Sequence, residues 1–321
     1  MRIAVDAMGG DHAPEEVIKG AVEAANKLDV DIVLVGDTQA MESILSRFNC
    51  TSEKIHLHHA SQVVDMKEHA VTALRKKKDS SIMVATNLVK EGSADALVSC
   101  GNTGAQLAAA MFILGRFEGV DRPPIATVIP GNEKNTILLD VGANVDVKPE
   151  QLVQFARMGR AYAKVAFGIA DPRVGLLNNG EEETKGNQTT VAAHGQMKAM
   201  PDLSFIGNVE GRDLFEGKAD VVVCDGFLGN TILKTLEGAA LMFMKRVENE
   251  FGPEAAKRVL GDYDYTTVGG APLLGVNGIS IVCHGSSKSE AVFNGIKIAQ
   301  QCIQGELIAG LNQAVGAGEH F

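Results

Sequence analysis

The chain has no tryptophan and only three tyrosines in 321 residues, so it lacks the aromatic platforms on which single-stranded nucleic acid stacks. Basic charge is also scarce. Lys and Arg number 30 against 40 Asp and Glu, a net charge of −10, which excludes a general nucleic-acid binder unless its cations cluster. Cysteines at 50, 100, 224, 283 and 302 are odd in number and form no C-x-x-C pair; they read as reduced, mostly buried thiols in a reducing compartment. No apolar run approaches the roughly 18 residues of a membrane span. The opening "MRIAVDAMGG" reads as a strand entering a turn rather than a signal peptide, so a cytoplasmic protein is expected. Motifs are missing too: no G-x-x-x-x-G-K-[ST] for a nucleotide, no G-x-G-x-x-G after the first strand, no G-x-S-x-G nucleophile elbow. No His/Cys/carboxylate spacing reads as a metal site, and "HLHH" (His56 to His59) reads as a surface strand. Neither a cofactor nor a metal is therefore expected.

What the chain does have is alternation. Short apolar runs at 2–6, 31–35, 54–58, 94–99, 124–129, 136–141, 173–178, 203–207, 219–224 and 279–283 predict strands. Many are apolar throughout rather than at every second residue, as strands buried on both faces require. Helical spacing predicts helices at 14–28, 38–48, 66–77, 80–91, 103–116, 149–167, 187–200, 229–251 and 286–315, the last opened by a Ser287/Glu290 capping box. "PGNEKNT" (130–136) predicts a hairpin. The expectation is α/β: one domain over residues 1–321, a three-layer α/β/α sandwich with a mostly parallel sheet and an antiparallel insertion.

In such sheets ligands bind beyond the carboxyl ends of the strands. Six of those ends are polar and glycine-rich: "DAMGGDHAP" with Asp6 and His12, "CGNTGA", "DVGANVDVKPE" with Asp140 and Asn144, "NGEEETKGN" with Lys185 and Asn187, "DGFLGNTILK" with Asp225, and "HGSSKSE" with His284. Six at one sheet edge suggest a shared cleft. Gly101, Asn102, Thr103 and Gly104, and again Gly229, Asn230 and Thr231, suit an anion held by N–H groups at a helix start. The same Asn and Thr also suit plain helix capping, and both readings stand. Lys185 is either a mobile cation for that anion or a solvated loop lysine. Arg75, Lys76, Lys77 and Lys78 form a basic run that either suits a helix C-terminus or docks an acidic partner.

"MRIAVDAMGGDHAP", "SCGNTGA", "GVDRPPIA", "LLDVGANVDVKPEQLVQFA", "RVGLLNNGEEETKGN", "FIGNVEGRDL", "VVVCDGFLGNTILKTLEG" and "HGSSKSEAVFNGI" together resemble the PlsX family, bacterial phosphate acyltransferases of phospholipid synthesis, in order from residue 1 to about 300. The resemblance implies conversion of acyl-[acyl carrier protein] and orthophosphate to acyl phosphate and free carrier protein. It implies a homodimer, peripheral membrane contact, a membrane glycerol-3-phosphate acyltransferase as functional partner, and a fold similar to phosphotransacetylases and isopropylmalate dehydrogenases. The resemblance does not fix residue roles; for this reaction the residues themselves suggest that Gly101 to Gly104 with Gly229 and Thr231 hold phosphate, Lys185 neutralises charge, Asn230 assists, and His284 either protonates the leaving thiolate, positions a donor or is a structural histidine. Asp6, His12, Asp140, Asn144, Asn187 and Asp225 line or support the cleft, and Arg75 to Lys78 receive the carrier. Between "LKTLEG" and "GGAPLLG" the chain departs from the family by being shorter and less basic. A short-chain phosphotransacetylase using acyl-CoA, and a non-catalytic carrier-docking scaffold, are the rival readings.

Overall fold

The computed structural model of the chain describes residues 1–48, 53–261 and 269–316. Cys50 and the "DYDYTTV" segment (262–268) lie outside them. The strands are β1 (Arg2–Asp6), β2 (Asp31–Gly36), β3 (Ile55–His59), β4 (Ala96–Ser99), β5 (Ala126–Ile129), β6 (Thr136–Leu139), β7 (Val174–Leu177), β8 (Phe205–Val209), β9 (Val221–Val223), β10 (Ala271–Pro272) and β11 (Ile279–Val282). The helices are α1 (Glu15–Lys27), α2 (Thr38–Arg47), α3 (Ala70–Lys76), α4 (Ser81–Lys90), α5 (Thr103–Ala109), α6 (Pro149–Phe167), α7 (Gln188–Lys198), α8 (Gly226–Phe251), α9 (Pro253–Leu260), α10 (Ser289–Gln304) and α11 (Leu307–Gly316). Every predicted strand is present, and only the two-residue β10 was not foreseen.

Among the described residues the chain packs as two compact units. The first takes residues 1–116 and 269–305. Its sheet runs β10-β11-β4-β1-β2-β3, parallel except for β10. Successive side chains of a strand face opposite ways. Ala4, Val33, Val35 and Leu97 accordingly pack against Leu74, Ile82, Ala85, Ala105 and Ala109 of α3, α4 and α5. Val98, of opposite parity to Leu97, instead meets α10 at Gly295, and α1 packs on α10 where Gly20 approaches Val292. Two covered faces explain the unbroken apolar runs, and each fully buried Ile or Leu in them contributes roughly 1.5–3 kcal/mol.

The second unit takes residues 117–261 and 306–316. Its sheet runs β5-β6-β9-β7-β8, with β5 and β6 forming the predicted antiparallel hairpin and the other pairs parallel. α6 starts on Pro149, which has no N–H to waste at a helix start, and ends at Gly168 with φ 67°. It lies close on the sheet because Gly159 meets Val221 and Leu139 without a side chain of its own. α8 is the contrast: of its 26 residues only Gly226 and Gly229 are buried.

The expected helix 286–315 is two helices, α10 and α11, broken where Glu306 takes φ 50° and the chain passes from the first unit to the second. The Ser287/Glu290 capping box does not form. Lys288 occupies the cap position without a side-chain bond, and the Ser289 N–H is taken by Glu16 Oε2 at 2.8 Å. The helix expected at 229 begins at Gly226, and the one expected to reach 116 gives way after Ala109 to one wider turn, Ala110–Leu114.

Candidate functional site

The six polar strand ends divide three and three between the sheets. In the first unit β11, β4 and β1 are neighbours, so their loops leave from one edge. The loops are interlocked. Gly9 lies so close to Gly101 that a Cβ there would meet its Cα at 2.8 Å, and the Asp11 N–H donates to Gly285 O at 2.7 Å. Beneath them Asp6 is fully buried. Its Oδ2 accepts from Ser99 Oγ at 2.7 Å, and Ser99 Oγ accepts from the Gly101 N–H at 3.0 Å. Burial pushes the Asp6 carboxyl above its ordinary range; bonds from Ser81, Ser99 and the Met8 and Gly9 N–H groups oppose this without cancelling it. Asp6 is thus a support beneath the Gly101 turn, and Ser81 and Ser99, unmarked in the sequence reading, complete it.

Asn102 caps α5, its Oδ1 accepting from the Ala105 N–H at 3.0 Å. Its Nδ2 donates to Asp65 O at 3.2 Å, Met66 O at 3.1 Å and Glu68 O at 3.0 Å. The whole amide is therefore committed to the protein, clamping the 65–68 strap onto the turn. Thr103 and Gly104 remain exposed at the helix start. His284 is exposed; the Ser286 N–H donates to its Nδ1 at 3.2 Å, which leaves the proton of a neutral ring on Nε2. His12 is exposed in the turn after β1.

In the second unit Asp140, at the end of β6, is fully buried and accepts five bonds: from the N–H groups of Ile125, Gly142, Ala143 and Asn144 at 2.6–3.2 Å, and from Asn144 Nδ2 at 2.8 Å. Burial raises its carboxyl pKa in spite of these donors. Asp140 and Asn144 therefore shape the 140–144 loop rather than face solvent. Cys224 sits against Asp140 O, and burial pushes its thiol well above the ordinary range; burial also raises Cys302 to about 12. Cys100, Cys224, Cys283 and Cys302 are all buried, as read from the sequence. None is exposed to solvent for covalent chemistry.

A cavity of about 380 Å³ opens at the ends of β7 and β9, lined among others by Leu177, Asn178, Asn179, Asn187, Asp225 and Leu228. Asn187 caps α7 through the Thr190 N–H at 2.9 Å, and Asp225 caps α8 through the Leu228 N–H at 2.8 Å. Asn178 and Asn179, absent from the sequence candidates, follow β7 directly, which was the available signal. Asn178 Nδ2 holds Lys185 O at 2.9 Å, and Gly186, with φ 103°, lets that turn close. Lys185 is exposed, and its ammonium has no partner among the described residues. Of the three acids before it, Glu181 pairs with Lys218 and Glu183 with Lys198, which leaves Glu182 without an ion pair among the described residues.

The second "GNT" is not a second anion turn. Because α8 starts at Gly226, Gly229 lies inside it, with its N–H given to Asp225 O at 3.0 Å. Thr231 Oγ donates to Phe227 O at 2.7 Å. The expectation that Gly229 and Thr231 present free N–H groups at a helix start is corrected accordingly. Asn230 is exposed on α8 beside Gly142. In the basic run Lys77 is also corrected: its Nζ is taken by Glu68 Oε2 at 2.6 Å and Val63 O at 2.7 Å. Arg75, Lys76 and Lys78 are exposed and form no hydrogen bond or ion pair among the described residues. No group of three or more His, Cys, Asp or Glu that could hold a metal occurs among the described residues.

The family model described as "Fatty acid synthesis protein" matches residues 1–309. The phosphate acyltransferase of Syntrophomonas wolfei is 52% identical over 96% of both chains, and that of Heliobacterium modesticaldum 52% identical over 98% of both. Among solved structures a phosphotransacetylase from Streptococcus pyogenes aligns over 94% of each chain with a TM-score of 0.63 at 19% identity, a likeness of fold.

Proposed function

We propose that the protein, which belongs to the family of the phosphate acyltransferases and is an enzyme that transfers acyl groups to phosphate, takes its acyl group from a long-chain acyl-[acyl carrier protein] and supplies acyl phosphate for phospholipid synthesis. The observation that carries this reading is identity of about half the residues over nearly the whole chain with curated phosphate acyltransferases.

A phosphate oxygen attacks the thioester carbonyl carbon, the carbonyl oxygen takes up negative charge, the C–S bond breaks as C=O re-forms, and the departing sulfur takes a proton. Such a reaction needs a held anion, a stabilised oxyanion and a proton donor. Buried thiols with raised pKa values favour direct attack by phosphate over an acyl-enzyme. In the first unit we assign phosphate to the Gly101–Gly104 turn, through the backbone N–H groups of the exposed Thr103 and Gly104 and the Thr103 hydroxyl rather than the Asn102 amide or the Gly101 N–H, both of which are occupied. His284, with its proton on Nε2, is the candidate hydrogen-bond donor to the departing sulfur, and the proton the sulfur takes is the one the attacking hydrogen phosphate gives up on becoming acyl phosphate. In the second unit Lys185, exposed and unpaired among the described residues, is the cation for an anionic reactant, and Asn230 offers an exposed amide. A homodimer with peripheral membrane contact is part of this reading, and the exposed Leu241, Met242 and Phe243 of α8 support a surface that is covered in use. No helix among the described residues is long and apolar enough to cross a membrane. A membrane glycerol-3-phosphate acyltransferase then consumes the product.

Purified protein with palmitoyl-carrier protein and radiolabelled phosphate is expected to yield palmitoyl phosphate. A folded preparation that consumes acetyl-CoA but not palmitoyl-carrier protein overturns the choice in favour of a short-chain phosphotransacetylase, and one that consumes neither favours a scaffold. Lys185→Ala is expected to lower kcat about a hundredfold without changing Tm; undiminished turnover removes Lys185 from the mechanism.

A further inference from the structure

The basic run at the end of α3 contains two kinds of cation. Lys77 turns inward, bonded to Glu68 Oε2 and Val63 O, and so anchors the strap whose carbonyls at 65, 66 and 68 hold Asn102. Arg75, Lys76 and Lys78 turn outward and donate to nothing among the described residues, not even to the last carbonyls of their own helix. Lys76 only adds longer-range attraction to Glu68. Three unpartnered cations on one helix end are costly company for each other, in a chain of net charge −10 where Lys27, Lys54, Lys198 and Lys218 all have acidic partners. The other end of the same helix touches the Gly101–Gly104 turn: a Cβ added at Gly104 would lie 3.2 Å from Ala70 Cβ. From Ala70 to Lys76 a helix is roughly 10 Å long.

We propose that Arg75, Lys76 and Lys78 form the surface on which an acidic, acyl-bearing carrier protein docks, a helix length from the Gly101–Gly104 turn. The inference rests on the carrier-dependent reaction proposed above. Local positive charge in an acidic molecule attracts an acidic partner at that place and repels it elsewhere. Lys77 keeps the helix end fixed to the strap, so the partner meets a rigid surface.

The test compares Arg75→Glu/Lys76→Glu/Lys78→Glu with Lys19→Glu/Lys90→Glu/Lys297→Glu, three exposed lysines of the same unit whose reversal makes the same change in net charge. The first variant is expected to raise KM for palmitoyl-carrier protein and Kd for the free carrier protein about tenfold or more at low salt, a rise much larger than that for carrier-free palmitoyl-pantetheine. The second variant is expected to leave these values within about twofold. Equal losses on the carrier-borne and carrier-free thioesters, or an unchanged Kd for the carrier, overturn the docking surface. If the wild-type protein binds carrier but transfers no acyl group from it, the proposed reaction fails while the Kd comparison still decides the docking surface.

Discussion

The chain uses the tripeptide Gly-Asn-Thr twice after a buried strand, and the two copies do different work. At 101–103 the strand ends at Ser99, Asn102 is the cap, and Thr103 is the first residue of α5. At 229–231 the cap has already been supplied by Asp225, so the tripeptide falls in the second turn of α8. Gly101 gives its N–H to a hydroxyl beneath the turn, whereas Gly229 gives its own to the helix. Asn102 spends its amide on four backbone groups, whereas Asn230 spends its on none among the described residues. What a short polar motif offers a ligand depends on its distance from the cap, because only the first N–H groups of a helix are unsatisfied.

Glycine substitution gives the largest separation of the two copies. A Cβ at Gly229 would collide with the carbonyl of Asp140 and meet Cys224 Sγ at 3.0 Å, so Gly229→Ala is expected to lose about 3 kcal/mol or more. Gly104→Ala, facing the Ala70 methyl at 3.2 Å and Asn102 Oδ1 at 3.3 Å, should lose under about 1 kcal/mol. Urea denaturation followed by circular dichroism measures both, and equal losses would break the contrast.

The buried carboxylates beneath the two regions come next. Asp140→Asn places an NH2 group against N–H donors that cannot turn away, and is expected to lose about 2–3 kcal/mol. Asp6→Asn should lose about 1 kcal/mol, because Ser81 and Ser99 can rotate their hydroxyls. Asp6 also carries a pH signature. Its folded pKa lies above 3.8, so the folded state holds the proton where the unfolded state has released it. Its contribution is fully present below pH 3.8 and is lost as pH rises through the raised folded value. Asp6→Asn is expected to remove that fall from the stability-pH curve, and an unaltered curve would assign the fall elsewhere.

The smallest expected effect sharpens the comparison most. Asn102→Ala removes a cap and the strap clamp, for about 1–2 kcal/mol. Asn230→Ala, exposed, should stay within about 0.5 kcal/mol while lowering turnover if its amide serves the reaction. A stability loss at Asn230 matching that at Asn102 would mean that the copies are structurally equivalent after all.

The strands were legible because burial on both faces makes runs such as Ile32 to Val35 apolar throughout. The capping half of the Asn102 reading was legible from residue type alone. The start of α8 was not, because Gly226 and Gly229 punctuate it like a loop, and both are there to let Asn144 and Asp140 approach. Nor was the passage between units visible, since no linker composition marks residue 117 or residue 306, and a left-handed Glu is not a residue one would choose to break a helix. Lys77 could not be told from its three basic neighbours, because its difference lies in a contact with Glu68 and Val63 across the strap.

The order β11-β4-β1 sets a timetable for synthesis. β4 emerges early and pairs with β1 on one side, but its other partner, β11, is made only after the entire sheet of the second unit. During that interval a nascent chain carries Ala96, Leu97 and Val98 on an unpaired strand edge, the kind of surface that recruits other chains. Chains that stop before Ile279 never close that edge, so premature termination anywhere in the second unit should yield aggregating fragments rather than a free-standing first unit.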